Sequence, residues 1–322
     1  MNFYSFFHHH IKTQPHPWIF LLSSLGLLLL LKSSISFLKW VYITFLRHPK
    51  DLKKCYGSWV LITGATDGIG KAFAYELAKK GLNLILVGRN SNKLKIVSRE
   101  IHTICPNVKI KTIVLDFSND LTAGICVIEE AIQAVDVGVL INNVGVSYSK
   151  ATYFHEVDEE VWMNLVRVNV EGTTQVTKVV VPGMLKRKKG VIVNVGSGAS
   201  IVVPSHPLFA IYAATKAYVD QLSRCMYVEY KGYGIDVQCQ VPLYVATNMA
   251  SKVAFIKKSS LFVPTPEAYA QAAIRRIGYE PRCTPYWTHS LQWYLASLLP
   301  ENVLDAWRLS IGIGRMKLGT QE

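Results

Sequence analysis

The stretch Leu61–Gly70, LITGATDGIG, constrains this chain more than any other. Trp59, Val60, Leu61 and Ile62 form a short apolar run that ends at Thr63, and Gly64, Gly68 and Gly70 follow. From Lys71 to Lys80 the periodicity becomes helical, with Ala72, Phe73, Ala74, Leu77 and Ala78 marking one face. Strand, glycine turn and helix in that order is the context of a dinucleotide site. One glycine allows the tight turn, one lets the backbone approach a pyrophosphate, and the last lets the helix pack closely. The free N–H groups of the helix N-terminus then face the phosphates. Three glycines also occur in structural loops of unrelated α/β proteins, so the rest of the chain has to decide.

The remaining pattern alternates strand and helix. Leu82 to Val87 is a nearly all-apolar run of the kind covered on both faces in a parallel sheet. Arg89 follows it where a carboxylate would bind an adenosine ribose, so this position points to a 2′-phosphate and NADPH over NADH; a plain surface arginine is the alternative. Lys93 to Thr103 is expected as a helix and Val108 to Leu115 as a strand ending at Asp116. That carboxylate is placed either to hold an adenine amino group or, like Asp120, to cap the helix expected over Leu121 to Val135. Val137 to Ile141 is a further strand, ending in Asn142, Asn143, Val144 and Gly145. Two helical patterns, Val157 to Val168 and Val170 to Lys188, meet at Asn169, an amide able to free a backbone carbonyl and hold water. The cluster Lys186 to Lys189 closes that helix, where positive charge is favourable, and no nucleic-acid-binding motif accompanies it.

Val191 to Val195 is the fifth strand, followed by Gly196, Ser197, Gly198, Ala199 and Ser200. Tyr212 and Lys216, four apart, share one face of the next helix. A phenol with a free pKa near 10 is a poor acid or base at neutral pH, and a neighbouring ammonium lowers that value. The pair can therefore exchange a proton with a carbonyl or alcohol.

The 322 residues carry a net charge of +13 and are 50 % hydrophobic, which favours a membrane over nucleic acid as the basic surface's neighbour. Trp18 to Leu31 is almost wholly apolar, and the character resumes after Lys32 through Leu46. A bilayer core needs about 20 helical residues, so one span from near Trp18 is expected, with an interfacial helix or hairpin as alternative. Phe3 to His10 is aromatic and histidine-rich, unlike the start of a cleaved signal. Lys39, Arg47, Lys50, Lys53 and Lys54 lie beyond the span, which puts the bulk of the chain in the cytosol. The six cysteines are scattered, with no metal pair or disulfide framework, and no metal site is expected. Three segments result: a tail and membrane anchor over 1–50, a nucleotide-binding domain over 51–285 and an apolar extension over 286–322. Within them, Ser251 to Val263 reads as an amphipathic lid or a surface excursion. Tyr286 to Leu299 is short for a span and is expected to pack beside the domain or at the membrane interface. No dilysine signal stands at the C-terminus.

Thr63, Gly64, Gly68, Ile69 and Gly70, the NNVG stretch Asn142–Gly145, Asn169, Ser197 in NVGSG and the YAATK helix of Tyr212 and Lys216 together resemble the short-chain dehydrogenase/reductase family. The resemblance covers roughly Ser58 to Gly278 and implies a Rossmann-like, doubly wound parallel α/β sheet. It implies that Tyr212 is the proton donor, that Ser197 orients the substrate oxygen, and that Lys216 binds the nicotinamide ribose and lowers the tyrosine pKa. Asn169 then holds a water on the proton path, and Asn143 lies against the ribose. The implied NADPH/NADP set is Gly64, Thr66, Asp67, Gly68, Ile69, Gly70, Arg89, Asp116, Asn143, Tyr212, Lys216, Val245 and Thr247. Ser197 stands fifteen residues before Tyr212, which keeps Ser200 as an alternative serine, and Pro242 is followed by Leu243 and Tyr244 in place of glycine. That departure and the membrane segment resemble the membrane-bound very-long-chain 3-oxoacyl-CoA reductases of plants, whose animal relatives also act on steroids. The implied setting is the endoplasmic-reticulum membrane with a cytosolic catalytic domain. The implied partners are a long-chain acyl-CoA, other fatty-acid elongation enzymes and a second copy in a homodimer, with no nucleic acid. A steroid dehydrogenase and a catalytically idle elongation scaffold are the competing functions.

Overall fold

The structure is a computed structural model that describes residues 17–256 and 258–319. The histidine-rich start and the last three residues, with the C-terminal signal question, lie outside the described residues. The chain separates into two compact units, one up to residue 48 and one from residue 49 onward.

The first unit is one helix, α1 (Pro17–Val41), which widens into a π-helical turn over Tyr42–Leu46. Its described apolar side chains are exposed almost throughout, and Trp18–Leu46 is long and apolar enough to cross a membrane. At 1.5 Å per residue its 29 residues reach about 44 Å.

The second unit opens with the short α2 (Leu52–Cys55) and then alternates β1 (Trp59–Thr63), α3 (Gly68–Lys79), β2 (Asn83–Gly88), α4 (Ser91–Ile104), β3 (Ile110–Val114), α5 (Thr122–Gln133) and β4 (Val137–Asn142). α6 (Glu159–Val166) runs through a π-helical turn, Arg167–Glu171, into α7 (Gly172–Arg187). Then come β5 (Gly190–Val195), α8 (Ala210–Tyr230), β6 (Ile235–Gln240), α9 (Asn248–Ala254), α10 (Pro266–Ile274), β7 (Arg282–Cys283), α11 (Trp287–Ala296) and α12 (Glu301–Gly319). All seven strands are parallel in the order β3-β2-β1-β4-β5-β6-β7. The order reverses between β1 and β4, and ligands of doubly wound sheets sit in the crevice at that point.

The period-2 alternation of side chains divides the core. Val60, Ile62, Leu84, Leu86, Val139 and Ile141 face one side, against Phe73 and Leu77 of α3, Val97 and Ile101 of α4, and Tyr269 and Ala273 of α10. Leu61, Ile85, Leu140, Ile192 and Val237 face the other, against Ile128 of α5, Val176 and Met184 of α7 and Met226 of α8. Three helices thus cover each face, and the central strands read as unbroken apolar runs because neither face meets water.

Three expectations change. The two patterns meeting at Asn169 are one continuous helix widened by the π turn. Among the described residues of Ser251–Val263 only those up to Ala254 are helical, as the end of α9 (Asn248–Ala254), and the chain leaves that helix at Phe255 with φ +57°. The segment after residue 285 adds two helices packed into the second unit: Thr288 and His289 of α11 are fully buried, as is Leu304 of α12 at 5 %.

Candidate active site

Thr63, at the end of β1, ties the two sides of the switch point together. Its hydroxyl accepts the backbone N–H groups of Asn143 (3.0 Å) and Val144 (3.1 Å). In return the Asn143 amide donates to the carbonyls of Thr63 (3.0 Å) and Gly64 (3.2 Å). Gly64 adopts φ +66°, and a Cβ on Gly70 would stand 2.3 Å from the Gly64 carbonyl oxygen, so α3 begins in contact with the turn that precedes it. Asp67 caps α3 by accepting from Gly68 N (2.8 Å), and its other oxygen accepts from Asn248 Nδ2 (2.7 Å). Thr247 caps α9 and lays its methyl 3.0 Å from where a Gly68 Cβ would be. The glycine turn is thus latched to the segment after β6, and a cavity of about 350 Å³ lined by Gly68, Lys71, Thr247 and Asn248 opens beside the start of α3. A backbone cradle without Cβ atoms, at a helix N-terminus and with a lysine at its wall, suits a pyrophosphate.

The other proposed cofactor residues lie around this crevice with different parts turned to it. Thr66 packs over Gly88 at the end of β2, Ile69 packs against the core, and Val245 is buried in it, so the side chains of Ile69 and Val245 are spent on packing. Arg89 is exposed after β2. Burial raises the Asp116 pKa, but the Ser118 hydroxyl (2.7 Å), the Ser118 N–H (3.0 Å) and the Arg89 charge together hold it below the usual range. Asp116 therefore shapes its own turn, and Asp120 takes the helix-start role through Thr122 N (3.0 Å).

The four proposed catalytic residues converge at the ends of β4 and β5. The π turn buries Asn169, whose Oδ1 accepts Val146 N (2.8 Å) and whose Nδ2 donates to Val146 O (3.0 Å) and Thr215 Oγ1 (3.0 Å). Thr215 passes the link on by donating to Tyr212 O (2.8 Å). Lys216 is 6 % exposed and donates from Nζ to Val195 O (2.9 Å). Burial depresses its pKa to about 8 against a small upward pull from Cys239. Gly145 fits between the two: a Cβ there would lie 3.3 Å from both Asn169 Oδ1 and Lys216 Nζ.

Tyr212 does not show the coupling to Lys216 that its spacing suggests. Desolvation raises the phenol above its ordinary value, the Ser197 hydroxyl offsets part of this by donating to it, and the Tyr244 phenol adds to the rise. The Ser200 hydroxyl instead turns back to the Ser197 carbonyl (3.3 Å), so of the two serines Ser197 is the one beside the tyrosine.

Sequence reasoning missed the frame around Tyr212. Tyr148, 3 % exposed, accepts Ile211 N at its hydroxyl (3.2 Å), satisfying a free donor at the start of α8, and stacks on Phe209. Tyr148, Leu165, Leu208 and Phe209 form a third apolar cluster in which Tyr212, Ile313 and Met316 take part, so α12 closes over the catalytic side. His289 accepts Leu243 N at Nδ1 (3.3 Å) and faces Tyr244 O with Nε2 (3.2 Å), clasping the turn that replaces the usual glycine. Tyr244 at that odd turn carried a signal; α12 did not, because its inward residues include two arginines.

Among known families, the profile described as short chain dehydrogenase matches residues 58–255. The very-long-chain 3-oxoacyl-CoA reductase-like protein of Arabidopsis thaliana is 56 % identical over 95 % of this chain and 98 % of its own. The inactive hydroxysteroid dehydrogenase-like protein 1 of Homo sapiens is 42 % identical over 83 % of this chain and 79 % of its own. Among solved structures, a short-chain dehydrogenase from Sphingobium yanoikuyae in complex with NADPH is 27 % identical, covers 68 % of this chain and 83 % of its own, and superposes with a TM-score of 0.60. With the glycine turn at the switch point and Ser197, Tyr212, Lys216 and Asn169 gathered at one end of the sheet, the chain belongs to the short-chain dehydrogenase/reductase family.

Proposed function

We propose that this protein reduces very-long-chain 3-oxoacyl-CoA to 3-hydroxyacyl-CoA with NADPH in fatty-acid elongation. The observation that carries the reaction is the Ser197–Tyr212 hydroxyl pair set against an apolar cluster. The nearly end-to-end likeness to the Arabidopsis protein supports the substrate. NADPH, when bound, supplies the hydride. The chain's own residues do the rest. Ser197 and Tyr212 present two donors to the substrate carbonyl oxygen, where negative charge grows in the transition state. Burial keeps the Tyr212 phenol protonated at neutral pH, the form that gives a proton to the new alkoxide. Lys216, held by Val195 O beside Gly145, would bind the ribose. Asn169 is a positioning residue that fixes the Val146 loop and, through Thr215, the first turn of α8. Arg89, exposed after β2, would meet the 2′-phosphate.

The helix α1 supports attachment to the endoplasmic-reticulum membrane, and the basic residues after it support a cytosolic catalytic unit. Protease added to sealed microsomes should digest the unit from residue 49 onward; protection until detergent is added would reverse the orientation.

A second reading, reduction of a steroid ketone or no turnover at all, draws on the human relative. Membranes bearing the protein, given NADPH with either a long-chain 3-oxoacyl-CoA or a 17-oxosteroid, separate the readings. The acyl-CoA is expected to turn over and Tyr212→Phe to lower that rate by about 10²–10⁴-fold. Turnover of the steroid alone, or equal rates with and without the phenol, would sink the assignment.

A further inference from the structure

The inward face of α12 carries two cations that have no carboxylate within ion-pair distance among the described residues. Leu304, Arg308, Gly312 and Arg315 recur at helical spacing, and Leu304, Arg308 and Gly312 are buried. Arg308 is only 8 % exposed, yet it forms no ion pair among the described residues. Its Nη2 donates to His206 Nδ1 (2.5 Å), its guanidinium lies 5.7 Å from the Trp307 ring, and its Nε has no partner among the described residues. Asp305, the carboxylate one turn earlier, accepts from the Ser205 hydroxyl and makes no ion pair with Arg308. Arg315 donates from Nη1 to the Tyr244 hydroxyl (2.8 Å) and stacks over that ring at 5.3 Å, again with no carboxylate. Both charges reach the same imidazole: burial first, then Arg308 and Arg315, push His206 down to about 3. His206 is therefore neutral and compensates neither arginine.

A buried cation costs free energy unless an anion or several hydrogen bonds meet it. Two arginines seven residues apart on one face are separated by about 10 Å along the axis, a row rather than a point. The row starts at Tyr244, whose phenol acts on Tyr212, and leads away past His206 along the same helix that sends Ile313 and Met316 into the cluster around Tyr212. We propose that Arg308 and Arg315 form a cationic rail for the phosphates of the coenzyme A carrier while the carbonyl of the attached acyl chain lies at Ser197 and Tyr212. The rail rests on the acyl-CoA reading above and names the residues that favour it. Planar guanidinium forks suit phosphate oxygens. A neutral steroid would leave both without an anion, a mismatch that selects against it.

The test uses the full chain in non-ionic detergent and free coenzyme A as probe, with affinity read by calorimetry. Arg308→Gln and Arg315→Gln should each weaken coenzyme A about tenfold, the size expected for a lost charge-assisted hydrogen bond. Arg308→Lys should keep part of the affinity, and NADPH affinity within twofold of wild type certifies the fold. If Arg308→Gln does not fold, Arg315→Gln, at a half-buried position, carries the test. Pantetheine, which has no phosphate, should bind equally to wild type and variants. No binding of coenzyme A by wild type, undiminished affinity in both variants, or an equal loss for pantetheine would overturn the rail. So would variants that keep coenzyme A but lose binding to vesicles rich in phosphatidylserine, since the anion would then be a lipid headgroup. Turnover of 3-oxoacyl-CoA by wild type is measured separately: its absence refutes the substrate reading, whereas normal turnover with unchanged coenzyme A affinity in the variants refutes only the rail.

Discussion

His289 holds Leu243: the backbone N–H of Leu243 donates to Nδ1 at 3.3 Å, and Nε2 faces the carbonyl of Tyr244 at 3.2 Å. Those two contacts assign the neutral tautomer with its proton on Nε2, and burial pushes the ring down to about 4 against smaller upward pulls from the Tyr244 and Phe262 backbone. A histidine whose folded pKa lies below its ordinary value is neutral in the native state while the unfolded chain protonates. Stability is therefore full above about pH 6.5 and falls as the pH drops toward 4, by on the order of 3 kcal/mol. Urea midpoints across that window should fall with acid in wild type and fall less steeply in His289→Gln; parallel slopes would show that the ring does not carry the effect.

Gly70→Ala should cost stability and cofactor affinity together. The added Cβ would meet Asn143 Nδ2 and the Gly64 carbonyl oxygen, each at 2.3 Å, and a side-chain shift relieves only the first of these. About 2 kcal/mol is expected from overpacking of this kind. A denaturation curve shifted by that amount, with a raised KM for NADPH, is the expected pair of results; an unchanged midpoint would contradict the packing of α3 on the turn.

Gly145→Ala separates chemistry from stability. Its Cβ would press at 3.3 Å on both Asn169 Oδ1 and Lys216 Nζ, a fit that side-chain ends can relieve by a small shift. The melting temperature should barely move while kcat falls by about tenfold, since small displacements of a catalytic group are costly. Equal kcat would place the Lys216 ammonium outside the reaction.

Arg89→Ala should lower the preference for NADPH over NADH by about tenfold or more, read as the ratio of kcat/KM values. The residue is exposed after β2, so its removal should leave the unfolding midpoint unchanged. A wild type that prefers NADH, or a ratio indifferent to the substitution, would send the arginine back to an ordinary surface role.

Much of the sheet is legible in the residues because a strand covered on both faces has to be apolar throughout: Leu84 to Val87 and Val137 to Ile141 admit little else. Tyr212 and Lys216 are equally legible, since four-residue spacing fixes a shared helix face. What that spacing does not convey is which neighbour each finds. Lys216 turns to Val195 O, and Tyr212 is set chiefly by desolvation, a property of everything packed around it. The π turn at Asn169 leaves no mark in local propensity, because its reason is a bond to the distant Val146 loop. β7 is only two residues long, and α12 hides its core face behind Arg308 and Arg315. Residues that work through long-range partners look like surface when only their chain neighbours are visible.

The clasp of the 242–244 turn by α11 and α12 also sets an order of events during synthesis. A growing chain exposes the glycine turn, β1 to β6 and the Tyr212 helix before His289 or Arg315 exists, and folding during synthesis proceeds from the N-terminal side. The residues of the nucleotide crevice are thus made first, while the wall over Tyr212 needs the residues of α12. A nascent chain stalled before residue 289 would carry the glycine turn and the Tyr212 helix yet lack both side chains that clasp the 242–244 turn.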